Sequence, residues 1–201
     1  MTRPGDANQS VNPFSSSSLQ TIHAIFPEAH ALELTKSYRS TTQITEFAQH
    51  IRRNDKLVPI DRPGTPPQVV ACQDDAEELD RVAGLVRDFQ DGAHRSMGII
   101  CKTVPQAQAL HEELGRAGVE ATFLDYGSEV FASGAVITSA HLAKGLEFDT
   151  VLVPGVDEQN YATEMDRSML YVACTRAMHE LTLTHQGRSS AFLDFAATVP
   201  A

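Results

Sequence analysis

The chain lacks any apolar run near the roughly 20 residues that a bilayer-spanning helix needs. Its first ten residues, MTRPGDANQS, hold no apolar stretch, which excludes a secretory signal. Cysteine is scarce and odd in number: Cys72, Cys101 and Cys174. Cys72 and Cys101 lie inside apolar runs, so buried free thiols are expected rather than disulfides or metal ligands. No metal site is expected, and a reducing, cytoplasmic setting fits. Basic charge is short as well, with 16 Lys and Arg against 26 Asp and Glu and a net charge of -10. That balance excludes a simple nucleic-acid-coating domain and leaves room for binding through a local patch. Internal repeats and long low-complexity tracts are absent. So is any G-x-x-x-x-G-K-[ST] phosphate loop, and no acidic pair follows a strand in a way that would hold Mg²⁺.

What is present is an ordinary globular composition, 42% hydrophobic over 201 residues, enough for one domain with a core. Residues 1–18 are polar and end in four serines, so they read as loop or linker. Beyond them helix and strand patterns alternate. A helix is predicted from Leu19 to Phe26, stopped by Pro27, then a short strand near 30–34. Ile44, Phe47, Ala48 and Ile51 mark a helix over 41–53, with Ser40 and Gln43 as its capping box. A strand at 69–72 precedes a helix over 75–90, and GIIC (98–101) precedes a helix boxed by Thr103 and Gln106 and stopped at Gly118. Strands are expected near 121–124, 135–139 and 150–154, a helix over 164–177, a strand at 180–185 and a last helix over 189–197. Short apolar strands between amphipathic helices indicate an α/β fold, a mostly parallel sheet with helices on both faces.

Three segments carry candidate chemistry. In Tyr38-Arg39-Ser40-Thr41 an arginine precedes a helix start, where free N–H groups and the dipole attract phosphate. An exposed arginine beside a cap explains the same tetrapeptide. His141, Lys144, Gly145 and Glu147 sit in a loop between two apolar strands, and Gly145 permits a sharp turn. Lys144 and Glu147 pairing only with each other is the plainer reading. Met165, Met169, Val172 and Arg176 fall on one helical stripe. A buried arginine is costly without partners, so Arg176 is either salt-bridged inside, the reading its spacing favours, or points from the core edge into a cleft.

Read together, these segments resemble, in order, the motifs of UvrD/Rep-type superfamily 1 helicases. Gly5-Asp6-Ala7-Asn8-Gln9-Ser10 resembles motif III and LTKSYRSTTQI motif IV. TSAHLAKGLEFDTVLVPG (138–155) is similar to motif V, and DRSMLYVACTRAMHELTLTH (166–185) to motif VI. GIICKTVPQAQALHEELGRAGV (98–119) resembles the strand-helix unit before the family's large insertion. The resemblance implies a RecA-like (P-loop NTPase-like) three-layer sandwich. It implies that residues 1–18 are a motif III remnant and linker, and that 19–201 are the second, C-terminal RecA-like domain.

The resemblance also implies roles. Gln9 would sense the γ-phosphate of ATP, Tyr38 would stack on adenine, and Arg39 would reach the γ-phosphate. Gly145 would shape the nucleotide loop and Glu147 would contact the ribose. Arg176 would be the arginine finger. His141, Ser139 and Lys102 would lie along single-stranded DNA, with Lys102 standing where the family usually has arginine. The phosphate loop and Mg²⁺ ligands would come from an N-terminal RecA-like domain of the same protein, and without it the chain is expected to be inactive. Only Asp125 to Gly134 stand where the large insertion is expected. That resembles compact helicase-like proteins that bind RNA polymerase, and implies an alternative reading as an interaction domain without strand separation. No membrane partner is expected.

Overall fold

The structure, a computed structural model, describes residues 40–54, 61–125, 127 and 133–200, together with the backbone of 36–37 and 58–59. The helix expected at 19–26, the strand at 30–34, and the site residues Gln9, Tyr38 and Arg39 lie outside the described residues.

In chain order the elements are β1 (Lys36–Ser37), α1 (Thr42–Ile51), β2 (Val58–Pro59), β3 (Gln68–Cys72), α2 (Asp75–Asp91) and β4 (Ser96–Cys101). Then follow α3 (Val104–Arg116), β5 (Thr122–Phe123), β6 (Gly134–Ser139), β7 (Phe148–Val153), α4 (Glu164–Cys174), β8 (Ala177–Gln186), a 3-10 turn (Ala191–Leu193) and β9 (Thr198–Pro200). Seven strands form one sheet in the order β5-β6-β4-β7-β8-β3-β9, and every strand pairing within it is parallel. β1 and β2 form a separate parallel pair.

Because side chains alternate along a strand, each central strand feeds two cores. Met97, Ile99, Cys101, Ala135, Ile137 and Leu152 point to the face covered by α2 and α3. Ile100, Val136, Val151, Val153, Leu181 and Leu183 point to the face covered by α1 and α4. Helices on both faces of an all-parallel sheet give the expected three-layer, RecA-like α/β architecture. Gly98 sits where Phe148 crosses β4: a Cβ there would lie 2.5 Å from the Phe148 ring. The three cysteines are buried and free. Burial pushes the Cys72 thiol up to about 11 and the Cys101 thiol to about 12.

Four local expectations are corrected. Thr41, not Ser40, caps α1, its side chain accepting from Ile44 N; Ser40 Oγ and Gln43 Oε1 are engaged elsewhere, with Ala177 O and Gly64 N. The α4 helix ends at Cys174, so Arg176 lies just past it and β8 starts at Ala177. Its buried face runs through Leu170, Tyr171 and Cys174, whereas Met165 and Met169 are half-buried. The last predicted helix is a single 3-10 turn followed by an edge strand on β3. The expected Thr103–Gln106 capping box is present, with Pro105 in the first turn of α3.

Candidate functional site

All strands run the same way, so the sheet has two chemically distinct ends. The segment 140–147 leaves the carboxyl end of β6 and enters the amino end of β7, packing Ala140 and Ala143 into the core under α1 and α4. One stretch of eight residues (140 through 147) therefore places His141 near one end and Glu147 at the other.

At the amino end, three separate segments meet around Arg176. Arg176 is buried, 2% exposed, and its guanidinium donates from Nε to Val172 O (3.1 Å), from one Nη to Leu146 O (3.3 Å) and from the other to Thr175 Oγ1 (3.2 Å). These carbonyl bonds satisfy donors that would be costly to bury unbonded. Arg176 is thus held inside, and these acceptors are two carbonyls and a hydroxyl where a carboxylate was expected. The Arg176 carbonyl accepts from Phe148 N at 3.0 Å, so Glu147 and Arg176 flank one ladder bond. Gly145 makes the turn before it: φ is +94°, and Leu146 N donates to Ala143 O at 3.0 Å. A positive φ at the third turn position is what glycine supplies without steric cost. Glu147 is half-buried and Gly145 is exposed. The third segment is the start of α1. Ser40 Oγ donates to Ala177 O over 2.6 Å and Thr41 N to Met178 O over 3.2 Å, which ties the residue after Arg39 to the residue after Arg176.

The same end holds Asp149. Burial pushes its carboxyl upward, but bonds from Arg95 N, Ser96 N and Ser96 Oγ and the nearby His179 outweigh it and hold it below the usual range.

At the carboxyl end lie Ser139, His141 and Lys102. Ser139 is buried; its carbonyl accepts from Ala143 N (2.9 Å) and its Oγ from Leu142 N (3.4 Å), which fixes the turn that carries the exposed His141. Lys102 follows β4 and its ammonium lies 2.6 Å from Asp166 Oδ1, also donating to Asn160 O and sitting 5.7 Å above the Tyr161 ring. Asp166 Oδ2 accepts from Thr163 N (2.9 Å), Thr163 Oγ1 (2.8 Å) and Ala162 N (3.2 Å), the capping box of α4. Burial pushes the Asp166 carboxyl upward, but the Lys102 ammonium and the Thr163 and Ala162 donors prevail and hold it below the usual range. Sequence reasoning missed Asp166 as a partner of Lys102, although Thr163-x-x-Asp166 is a readable capping pattern. It also missed Glu78, whose carboxylate joins Gly155 N (2.9 Å), Thr184 Oγ1 and Gln186 Nε2 (2.9 Å) across the ends of β7 and β8. Among the described residues, no group of three or more His, Cys, Asp or Glu side chains is placed to hold a metal ion.

The UvrD-like helicase C-terminal domain family matches residues 134–184, the stretch from β6 through β8. A probable DNA helicase II homolog of Rickettsia felis is 24% identical over 148 residues, 66% of this chain and 22% of that protein. The RecBCD enzyme subunit RecB of Chlamydia pneumoniae is 37% identical over 86 residues, 39% of this chain and 8% of its own. The chain thus spans 22% or less of the length of these two relatives. The solved C-terminal domain of a possible DNA helicase from Lactobacillus plantarum is 35% identical with a TM-score of 0.68, covering 79% of this chain and 92% of that one.

Proposed function

Because the chain belongs to the UvrD-like helicase C-terminal domain family, we propose that it serves as the second motor domain of an ATP-dependent DNA helicase or translocase. The observation that carries this reading is the meeting, at one end of the sheet, of Arg176, the Gly145–Glu147 turn and the Ser40 anchor of the Arg39 segment. In this reading an N-terminal RecA-like domain docks there with ATP and Mg²⁺, supplying the phosphate loop and metal ligands. Arg176 and Arg39 stabilise charge on the γ-phosphate, an effect that is large in a water-excluded site. The Arg176 guanidinium also donates to Leu146 O, so a nucleotide contact of Arg176 would lie beside the Gly145 turn. Tyr38 stacks on adenine, Glu147 holds the ribose and Gln9 reports the γ-phosphate. Ser139, His141 and Lys102 line a single-stranded DNA path at the opposite end. A cytoplasmic setting belongs to the same proposal; among the described residues no helix is long and apolar enough to cross a membrane.

One observation favours a second reading. Residues 124–133 alone join β5 to β6, where the family resemblance leads one to expect a large insertion. A helicase-like interaction domain, for instance one that contacts RNA polymerase without separating strands, needs no such insertion.

The test is DNA-stimulated ATP hydrolysis by the full-length protein with Arg176→Ala alongside. Turnover should fall by at least about 10³, the range for an arginine finger. Near-normal turnover in the variant removes Arg176 from the site. A full-length protein that neither hydrolyses ATP nor binds single strands sinks the motor reading and leaves the interaction domain.

A further inference from the structure

The ion pair between Lys102 and Asp166 lies at the carboxyl end of the sheet and ties the residue after β4 to the first turn of α4. Lys102 brings an ammonium group to the proposed strand path of Ser139, His141 and Lys102. That charge is already matched, 2.6 Å away, by a carboxylate on a side chain 8% exposed. A lysine ammonium has three donors and no acceptor. Two of them go to Asp166 Oδ1 and Asn160 O. A backbone phosphate arriving at Lys102 meets the Asp166 charge at close range, and like charges so placed repel.

Asp166 is also part of a helix end. Its other oxygen closes the capping box on Thr163 at the start of α4. From Asp166 the helix runs about 12 Å to its end at Cys174, at the helical rise of 1.5 Å per residue, and Arg176 stands just beyond, bonded back to the last turn through Val172 O. The last turn of α4 is packed into the core through Leu170, Tyr171, Ala173 and Cys174, so the helix is a continuous packed link between Asp166 and Arg176. We infer that Asp166 competes with strand phosphate for Lys102, and that their exchange transmits strand occupancy through α4 to Arg176. Asp166 is thus a positioning residue, acting through Lys102 on one side and through the helix on the other. This rests on the motor reading above.

The test uses the full-length protein and a single-stranded oligonucleotide. Asp166→Asn removes the charge at nearly the same volume. Asp166→Gln does so while keeping a cap, since Thr103 and Gln106 show that a Thr-x-x-Gln box closes a helix in this fold. Asp166→Glu restores the charge. With Asn or Gln, strand binding no longer frees a carboxylate that takes up a cation, so the slope of log affinity against log salt should steepen by about 0.7, the release for one phosphate contact. The ratio of strand-stimulated to unstimulated ATP turnover should fall in the same variants, and Glu should behave as wild type in both. A merely structural Asp166 leaves the salt slope unchanged or makes it shallower, and that result in folded Asp166→Gln overturns the inference. A steeper slope with an unchanged stimulation ratio overturns it as well, because the coupling to α4 is then missing. If the wild-type protein shows no strand-dependent turnover at all, the motor reading has failed first.

Discussion

Ser40 Oγ donates to the Ala177 carbonyl over 2.6 Å, and both groups are buried. This bond pins the start of α1 to the start of β8 and so joins the chain neighbours of the two arginines proposed for the γ-phosphate. Removing one partner of a buried hydrogen bond costs about 1–3 kcal/mol, mostly through desolvation of the group left behind. Ser40→Ala is therefore expected to lower stability by that amount in urea denaturation, with no change in the slope against denaturant. A variant as stable as wild type would show that the bond has no net energetic weight.

Gly98 of β4 lies against the ring of Phe148, which is fully buried. Alanine at 98 puts its Cβ 2.5 Å from a ring whose surroundings are core on every side. Overpacking of this kind costs about 1–3 kcal/mol. Gly98→Ala should show this loss, and Gly98→Ala with Phe148→Leu should lose less than the sum of the two single variants. Additive losses would mean that residue 98 and the ring do not share the space.

Much of this fold was legible because the hydrophobic period changes cleanly between elements. Ile44, Phe47, Ala48 and Ile51 are buried as their spacing demands, and Met97, Ile99 and Cys101 alternate with Ile100 as a two-faced strand should. The capping residue of α1 was not legible, since Ser40 and Thr41 both satisfy a cap and only tertiary partners decide. Ala177 O takes the Ser40 hydroxyl and Gly64 N takes the Gln43 amide oxygen. The period carried α4 too far, because Thr175 and Arg176 return their bonds to Tyr171 and Ala173 and end the helix. Residues 189–197 have helical composition, yet Thr198–Pro200 gains a ladder on β3, a non-local reward that no local pattern contains. Lys102 and Asp166 are distant in sequence, so only the sheet order and the position of α4 reveal them as a pair.

The depressed Asp166 carboxyl makes a claim about acid stability. A group whose folded-state pKa lies below its ordinary value, here 3.8, stabilises the fold fully above that value. The contribution is lost as pH falls through the lower, folded-state pKa. Wild-type stability should therefore drop between about pH 5 and pH 2 by more than that of Asp166→Asn, which has nothing to titrate at this site. At pH 7, Asp166→Ala should cost about 3–5 kcal/mol, because it strands the half-buried Lys102 ammonium. Denaturation midpoints of the three proteins across pH decide the matter, and parallel curves for wild type and Asp166→Asn would contradict it.

Gly145 offers a test of the nucleotide turn that separates backbone from packing. Its φ of +94° is one that side-chain-bearing residues seldom adopt, yet a Cβ built there meets nothing within 4 Å. Any penalty for substitution is then conformational, about 1–2 kcal/mol for alanine held in the left-handed region. Asparagine is enriched at positive φ and should cost less. The strain falls on the turn whose next residue, Leu146, receives the Arg176 guanidinium through its carbonyl. Gly145→Ala should accordingly reduce stability by the stated amount, reduce ATP turnover of the full-length protein further than stability explains, and be partly relieved by Gly145→Asn. Equal behaviour of alanine and asparagine would place the effect in something other than the backbone of this turn.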